Sequence, residues 1–428
     1  MNDIQILGKI PLYGEMAAQG SKNAVLPMMA ASLLHKGTTT LLNVPCIQDV
    51  DCMVGILRNL GAKVYREGRQ MQIDASYLDS CEISLDYVQK MRSSIMVLGP
   101  LVARLGQAVT HYPGGCSIGK RPVDYHVKLL RDLGITVKEE GDRIEAKADH
   151  CHGCELWLHF PSVGATENAV MAAAGAEGET VIRNCAREPE IVELCRFLES
   201  MGIETKGAGT DTIRLQGQKS KRDPVYRVCG DRIAAGTYLA AAAVTGGQIR
   251  ITDVPVFYME ATLQALRACG CQIMTEKDCI HLTAPRNLTA IPYLETKVYP
   301  GFPTDMQSVL LTVMCCGIGE SRLRETIFEG RFETAAELLR MGADITVKDN
   351  CAVVKGGTKL SGSTVRARDL RGGAALIVAG LAAQGRTLVK DCTHVDRGYE
   401  DIAENLKKLG ADIRRIRTET EEESRAAG

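Results

Sequence analysis

The pattern Leu-x-x-(Leu, Met or Cys)-Gly-(Ala, Ile or Cys) runs through the chain six times. Its glycines are Gly61, Gly134, Gly202, Gly270, Gly342 and Gly410, at intervals of 73, 68, 68, 72 and 68 residues. A second comb of glycines, Gly37, Gly106, Gly178, Gly247, Gly319 and Gly385, precedes it at intervals of 69, 72, 69, 72 and 66. Two combs locked in phase mean one folding unit of about 70 residues used six times. Each unit reads as helix, glycine stop, strand, connection, second helix with the Leu-x-x-Leu-Gly end, then another strand. Glycine supplies the left-handed conformation that closes a helix, and the β-branched residues after it start a strand. The fold class is therefore α/β.

The first helices of the units, at 24–34, 169–176, 234–244, 307–316 and 373–383, are apolar or small nearly all round. Helices of that kind are buried. The second helices carry charge on one side (Arg58, Asn59; Arg131, Asp132; Lys407, Lys408) and are expected to face solvent. Helices at the centre, with sheets and amphipathic helices outside, follow from that contrast. Three units precede about residue 229 and three follow, so the chain divides into two lobes near the polar stretch 217–224. Residues 1–20 stand before the first comb as a strand and turn with no assigned partner. The tail 418–428 is acidic and small and is expected to be disordered.

With 45% hydrophobic and 24% charged residues, the chain can bury a core in more than one domain. A net charge of −1 excludes a general pull toward nucleic acid or anionic membrane. No apolar run reaches the roughly 18 residues that span a bilayer, and no signal pattern opens the chain, so a cytoplasmic protein is expected. The 16 cysteines are scattered singly, many inside apolar helices, where they read as small hydrophobes in a reducing compartment. The run His150-Cys-His-Gly-Cys154 has the residue types of a zinc half-site without a second pair to complete it, and no metal is expected.

Departures from the repeat carry the function. The distance between the paired glycines of a unit is 23 to 25 residues in five units and 28 in the second. The excess falls at 112–122, where glycines and prolines bracket Cys116 with Lys120 and Arg121 close behind. That reads as a lid whose thiol sits in a cationic setting, against the plainer reading of a turn with a bystander cysteine. Polar residues open the buried helices at 21–23, 162–168, 304–305 and 369–371, where free N–H groups favour anions. Ser21, Ser162 and Thr304 are good N-caps in any case. If the helices run parallel, these ends gather on one face of each lobe. Lys22, Arg92, Arg121, Arg331, Arg371 and Arg397 would then line a cleft suited to a polyanion.

These stretches resemble the enolpyruvyl transferases over nearly the whole chain. The matching segments include Gly20-Ser-Lys-Asn-Ala24, Met91-Arg-Ser-Ser94, Pro113-Gly-Gly-Cys116 through Arg121-Pro-Val-Asp124, Ser162-Val-Gly-Ala-Thr-Glu-Asn168, Ala186-Arg-Glu-Pro-Glu190, Pro300-Gly-Phe-Pro-Thr-Asp-Met-Gln307, Glu325-Thr-Ile-Phe328, Asp369-Leu-Arg371 and Asp396-Arg-Gly-Tyr399. The resemblance implies a two-lobed inside-out α/β barrel with three units and parallel buried helices per lobe. It divides the chain into 22–229, and 1–21 with 230–417. It also implies transfer of the enolpyruvyl group of phosphoenolpyruvate to the 3′-hydroxyl of UDP-N-acetylglucosamine, through a tetrahedral ketal and with release of phosphate. That is the step that commits the sugar to peptidoglycan.

The resemblance further assigns Cys116 as proton donor, adduct former and target of fosfomycin, and Asp305 as acceptor of the sugar proton. Lys22, Asn23, Arg121 and Arg397 are implied to hold phosphoenolpyruvate. Asn23, Arg92, Arg121, Pro122, Val123, Asp124, Tyr125, Ser162, Val163, Gly164, Asp305 and Ile327 are implied to hold the nucleotide sugar, with Arg331, Asp369 and Arg371 in support and no cofactor. Met96, Tyr125 and Gly330 depart from the usual pattern, and Tyr125 bears on the fit of the uracil pocket. Two rivals are an enzyme of the same fold acting on shikimate 3-phosphate, which should lack the lid cysteine and the 162–168 run, and a non-catalytic repeat protein, which should have lost Lys22, Cys116, Asp305 or Arg397.

Overall fold

The computed structural model describes residues 2–113, 123–218, 220 and 222–417. The lid around Cys116 and the tail 418–428 lie outside them. The described residues form two compact units, one of residues up to Gln19 and from Gly230 onward, the other of residues between Gly20 and Cys229.

Six small sheets repeat one connectivity. The strand that follows a first-comb glycine, such as Thr38–Leu42, pairs antiparallel with the last strand of its unit, Gln70–Asp74, which pairs antiparallel with Lys63–Glu67. On its other side Thr38–Leu42 lies parallel to the short strand Val225–Arg227. Sheets built on Gly178–Arg183, Gln248–Thr252 and Gly319–Arg324 show the same order. In the second unit the parallel strand shrinks to one bridge, Glu82 to Val109, beside a sheet of three strands. In the sixth unit the N-terminal strand Asn2–Leu7 takes the position of the last strand, antiparallel to both Arg386–Lys390 and Asp412–Arg417. The next strand, Tyr13–Ala17, lies parallel to Gln248–Thr252. The N-terminal residues thus find their partners in the unit that starts at Gly230.

Helices Lys22–Ala31, Leu98–Leu105 and Val163–Ala173 fill the centre of one unit, and Arg232–Thr245, Gln307–Cys316 and Leu370–Ala382 that of the other. Leu98–Leu105 and Val163–Ala173 run side by side in parallel, and Gln307–Cys316 neighbours Leu370–Ala382. Thr312 Oγ1 donates to the Ala375 carbonyl, five residues into each helix, and Gly99 contacts Asn168 while Gly175 contacts Ala103. Small residues allow this closeness: a Cβ on Gly175 would stand 2.5 Å from that of Ala103. The second helices bury one face only, as in Gln48–Asn59, where Val50, Met53, Ile56 and Leu57 turn inward.

All six glycines of the Leu-x-x-Leu-Gly comb have positive φ, between 89° and 98° except for Gly134 at 87°. The first comb is less uniform. Gly106, Gly178, Gly319 and Gly385 are left-handed, but Gly37 and Gly247 are not, and in the fourth unit the cap has moved to Gly246. Gly37 is needed for space instead, since a Cβ there would lie 2.4 Å from His35 and Asp223.

No helix among the described residues is long and apolar enough to cross a membrane. The cysteines described are free thiols, seven of them buried. Burial pushes the thiol of Cys195 up to about 12, which suits packing and not reactivity.

Candidate active site

In the unit that holds helix Lys22–Ala31, Ser21 caps the helix by accepting from Ala24 N. Lys22, its first residue, is oriented by Asp49 on the neighbouring helix Gln48–Asn59, with Nζ 3.0 Å from Oδ2. Asn23 follows one position on. Arg92 opens the short 3-10 segment Arg92–Val97, and Val123, Asp124 and Tyr125 begin helix Asp124–Asp132. Val123 is buried, Asp124 exposed and Tyr125 half-buried against the core. Ser162 caps Val163–Ala173 by accepting from Ala165 N, which puts Val163 and Gly164 in its first turn. Cys116, Arg121 and Pro122 lie outside the described residues.

Glu167, one turn further along that helix, is 1% exposed, and its Oε2 has no hydrogen-bond partner. Burial first, then the nearby Glu190 and Glu188, hold its pKa well above the ordinary glutamate value. The folded state therefore keeps a proton that the unfolded chain releases above about pH 4.3, so stability falls as pH rises from there toward the folded value. Glu167→Gln, which keeps the shape and removes the titration, should gain stability over the wild type more at pH 8 than at pH 5 in urea denaturation. Equal gains at both would show that Glu167 is ionised.

In the other unit Asp305 sits in the 3-10 turn Thr304–Met306 that leads into Gln307–Cys316. Arg331 donates to its Oδ1 at 2.7 Å and Arg371 to its Oδ2 at 2.9 Å. Both arginines are buried, at 4% and 3% exposed, while the Asp305 side chain is 25% exposed. Burial works against the charge of Arg371, but Asp305, helped by Tyr399 and Asp231, outweighs it, and the guanidinium pKa is raised. Arg331 and Arg371 both grip the Asp305 carboxylate. Arg371 also packs over the Tyr399 ring and donates to its hydroxyl at 3.3 Å. Asp369 caps Leu370–Ala382 through Arg371 N and Gly372 N, and Arg397 ends the 3-10 segment Cys392–Arg397, half-buried.

Ile327 is placed by a residue outside the set assigned above. Glu325, 2% exposed, accepts on Oε1 from Ile327 N (2.7 Å), Phe328 N (3.1 Å) and Thr296 Oγ1 (2.8 Å), and on Oε2 from Thr304 Oγ1 (2.9 Å). One carboxylate so ties the Ile327 turn to the residue before Asp305. Buried glutamate accepting four donors was the available signal, but a lone Glu in a Glu-Thr-Ile-Phe run does not announce it. Glu325→Gln replaces an acceptor by an amide donor and should cost about 1–3 kcal/mol of stability, measured by denaturation. No change would mean that the turn holds without the charge.

Among the described residues the one set of three ligating atoms within 4.8 Å of one another is Glu276, Cys279 and His281. Arg250 donates to His281 Nε2 at 3.0 Å and lies 3.8 Å from Glu276. A guanidinium cation already serves that cluster.

The family model for EPSP synthase (3-phosphoshikimate 1-carboxyvinyltransferase) matches residues 7–406. The chain belongs to the EPSP synthase family. Within it, the chain is 44% identical over 416 residues to the UDP-N-acetylglucosamine 1-carboxyvinyltransferase 2 of Caldanaerobacter subterraneus subsp. tengcongensis, covering 97% of this chain and 100% of the relative. It is 44% identical over 417 residues to the UDP-N-acetylglucosamine 1-carboxyvinyltransferase of Geobacter metallireducens, with the same coverage. Among solved structures, the enolpyruvyl transferase NikO from Streptomyces tendae superposes with a TM-score of 0.88 at 26% identity, covering 98% of this chain and 99% of that one. An EPSP synthase from Acinetobacter baumannii shares the fold, with a TM-score of 0.76 at 19% identity over 97% of this chain and all of that one.

Proposed function

We propose that this EPSP-family chain is a UDP-N-acetylglucosamine 1-carboxyvinyltransferase, acting in the cytoplasm on phosphoenolpyruvate and the nucleotide sugar at the first committed step of peptidoglycan synthesis. The near-full-length likeness to the relatives of that name carries this reading; the EPSP synthases share only the fold at their level of identity. Asp305 is suited to the chemistry. Two guanidiniums hold both its oxygens in place, and charge-assisted bonds of this kind keep a carboxylate ionised and oriented. Its role is then to take the proton of the sugar 3′-hydroxyl as the new C–O bond forms and that proton becomes acidic.

In the same reading Cys116 gives its proton to the methylene carbon of phosphoenolpyruvate while the sugar oxygen bonds to C2, giving a tetrahedral ketal phosphate. Loss of a proton from the new methyl group and departure of phosphate then restore the double bond. Lys22, Arg121 and Arg397 neutralise the phosphate and carboxylate, with Asn23 as a hydrogen-bond donor and Lys22 aimed by Asp49. Phosphate release from phosphoenolpyruvate tests the reading: it should require UDP-N-acetylglucosamine, and release that depends on shikimate 3-phosphate instead would overturn it.

A further inference from the structure

Behind Arg371 a run of hydrogen bonds reaches from the Asp305 carboxylate to the first turn of helix Arg232–Thr245. Arg371 Nη2 donates to Asp305 Oδ2 at 2.9 Å, and Nη1 of the same guanidinium donates to the Tyr399 hydroxyl at 3.3 Å. That hydroxyl lies 2.9 Å from Thr237 Oγ1, which lies 2.9 Å from the Ile233 carbonyl oxygen. Chemistry fixes the direction of each bond. A carbonyl only accepts, so the Thr237 proton goes to Ile233; a guanidinium only donates, so the Tyr399 oxygen receives Arg371 and its own proton goes to Thr237. Arg371, Tyr399 and Thr237 are all buried, and burial raises the Tyr399 pKa, so the phenol keeps its proton near neutrality.

Tyr399 is also held through its backbone. Gln19, itself buried, donates from Nε2 to the Gly398 carbonyl at 2.9 Å and accepts on Oε1 from Glu400 N at 2.9 Å, so one amide grips the chain on both sides of the ring. Gln19 is fixed in turn by Asp231 N, which donates to its carbonyl at 2.8 Å. The Arg371 guanidinium carbon stands 5.6 Å from the centre of the Tyr399 ring. A buried tyrosine hydroxyl needs a partner whatever its role, and Thr237 alone would satisfy that need. The contact with Arg371 goes beyond it.

We infer that Tyr399 is a positioning residue for the reaction: backed by Thr237 and Gln19, it fixes the guanidinium of Arg371, which then holds the Asp305 carboxylate in the orientation of a base. The inference rests on the role given to Asp305 in the preceding subsection. Arg331 grips only Oδ1. With Arg371 loosened, the carboxylate can turn about that one contact, and a base out of line with the sugar hydroxyl is slow.

Tyr399→Phe keeps the ring and removes the hydroxyl. Its kcat should fall about tenfold while the KM values for phosphoenolpyruvate and UDP-N-acetylglucosamine stay within about twofold, since the hydroxyl acts on the base and not on a substrate. Thr237→Val leaves Tyr399 in place without its acceptor and should lower kcat about threefold in the same pattern. The deciding measurement places Tyr399→Phe in an Asp305→Asn background. A residue that acts through Asp305 has nothing left to act on there, so the double variant should release phosphate at the rate of Asp305→Asn alone. The same cycle with Thr237→Val answers the question if Tyr399→Phe does not fold. A tenfold loss in both backgrounds, a wild-type kcat in Tyr399→Phe, or a raised KM with kcat kept would overturn the inference and leave the reading of the enzyme intact. A wild-type protein whose phosphate release ignores UDP-N-acetylglucosamine would overturn that reading and this inference with it.

Discussion

Cys116→Ser is expected to lower turnover by about 10²–10⁴-fold, the range that a positioned general acid contributes. A hydroxyl is a far weaker acid than a thiol, so serine fills the space without delivering the proton. Cys116→Asp returns an acid and should restore part of the turnover while abolishing alkylation by fosfomycin, because a carboxylate in that place lacks the thiolate's reactivity toward the epoxide. The two variants separate proton donation from covalent chemistry. Steady-state phosphate release decides it: a serine variant at the wild-type rate would remove Cys116 from the role of acid. The contrast with the core thiols is part of the argument, since burial pushes Cys195, Cys269 and Cys392 up to about 12 and leaves them no part in acid–base work near neutrality.

Asp305→Ala should reduce kcat by about 10²–10⁴-fold, with a smaller loss of UDP-sugar affinity. Its structural cost is separate and should be visible. The change robs Arg331 and Arg371 of the carboxylate they share while both stay buried. Breaking a fully buried pair costs about 3–5 kcal/mol, and the partial exposure of Asp305 places this case at the lower end, at about 3 kcal/mol. Asp305→Asn keeps the volume and one acceptor oxygen and should lose nearly as much turnover with less stability. Turnover and affinity falling by the same factor in Asp305→Asn would make Asp305 a binding group alone.

Much of the scaffold was legible because it is periodic. The Leu-x-x-Leu-Gly comb marks six helix ends whose glycines are left-handed throughout, and the apolar stretches at 24–34, 169–176, 234–244, 307–316 and 373–383 mark helices buried on every side. What period cannot encode is closure across the chain. Asn2–Leu7 looks like any short alternating strand, and only the assembled sheet gives it a place, between Arg386–Lys390 and Asp412–Arg417. Gly37 and Gly246 show the same limit locally, where steric fit to His35 and Asp223 or a one-residue shift replaced the expected cap.

At the site, residue types were readable but pairings were not. Arg331 and Arg371 were expected to face a polyanion, since a charge count cannot tell a ligand from a carboxylate of the same chain. They converge on Asp305 from 26 and 66 residues away in sequence. Asp49 behind Lys22 and Glu325 behind Ile327 escaped for the same reason. Each acts through contacts between segments, and each is an ordinary polar residue in the linear chain.

The central claim is transfer of an enolpyruvyl group to the nucleotide sugar. Incubation with 13C-labelled phosphoenolpyruvate and UDP-N-acetylglucosamine, followed by mass spectrometry, tests it most directly. The expected result is UDP-N-acetylglucosamine carrying one labelled enolpyruvyl ether on the 3′-oxygen, formed in step with released phosphate. Phosphate release with the nucleotide sugar recovered unlabelled, or label found on shikimate 3-phosphate in its place, would contradict the account.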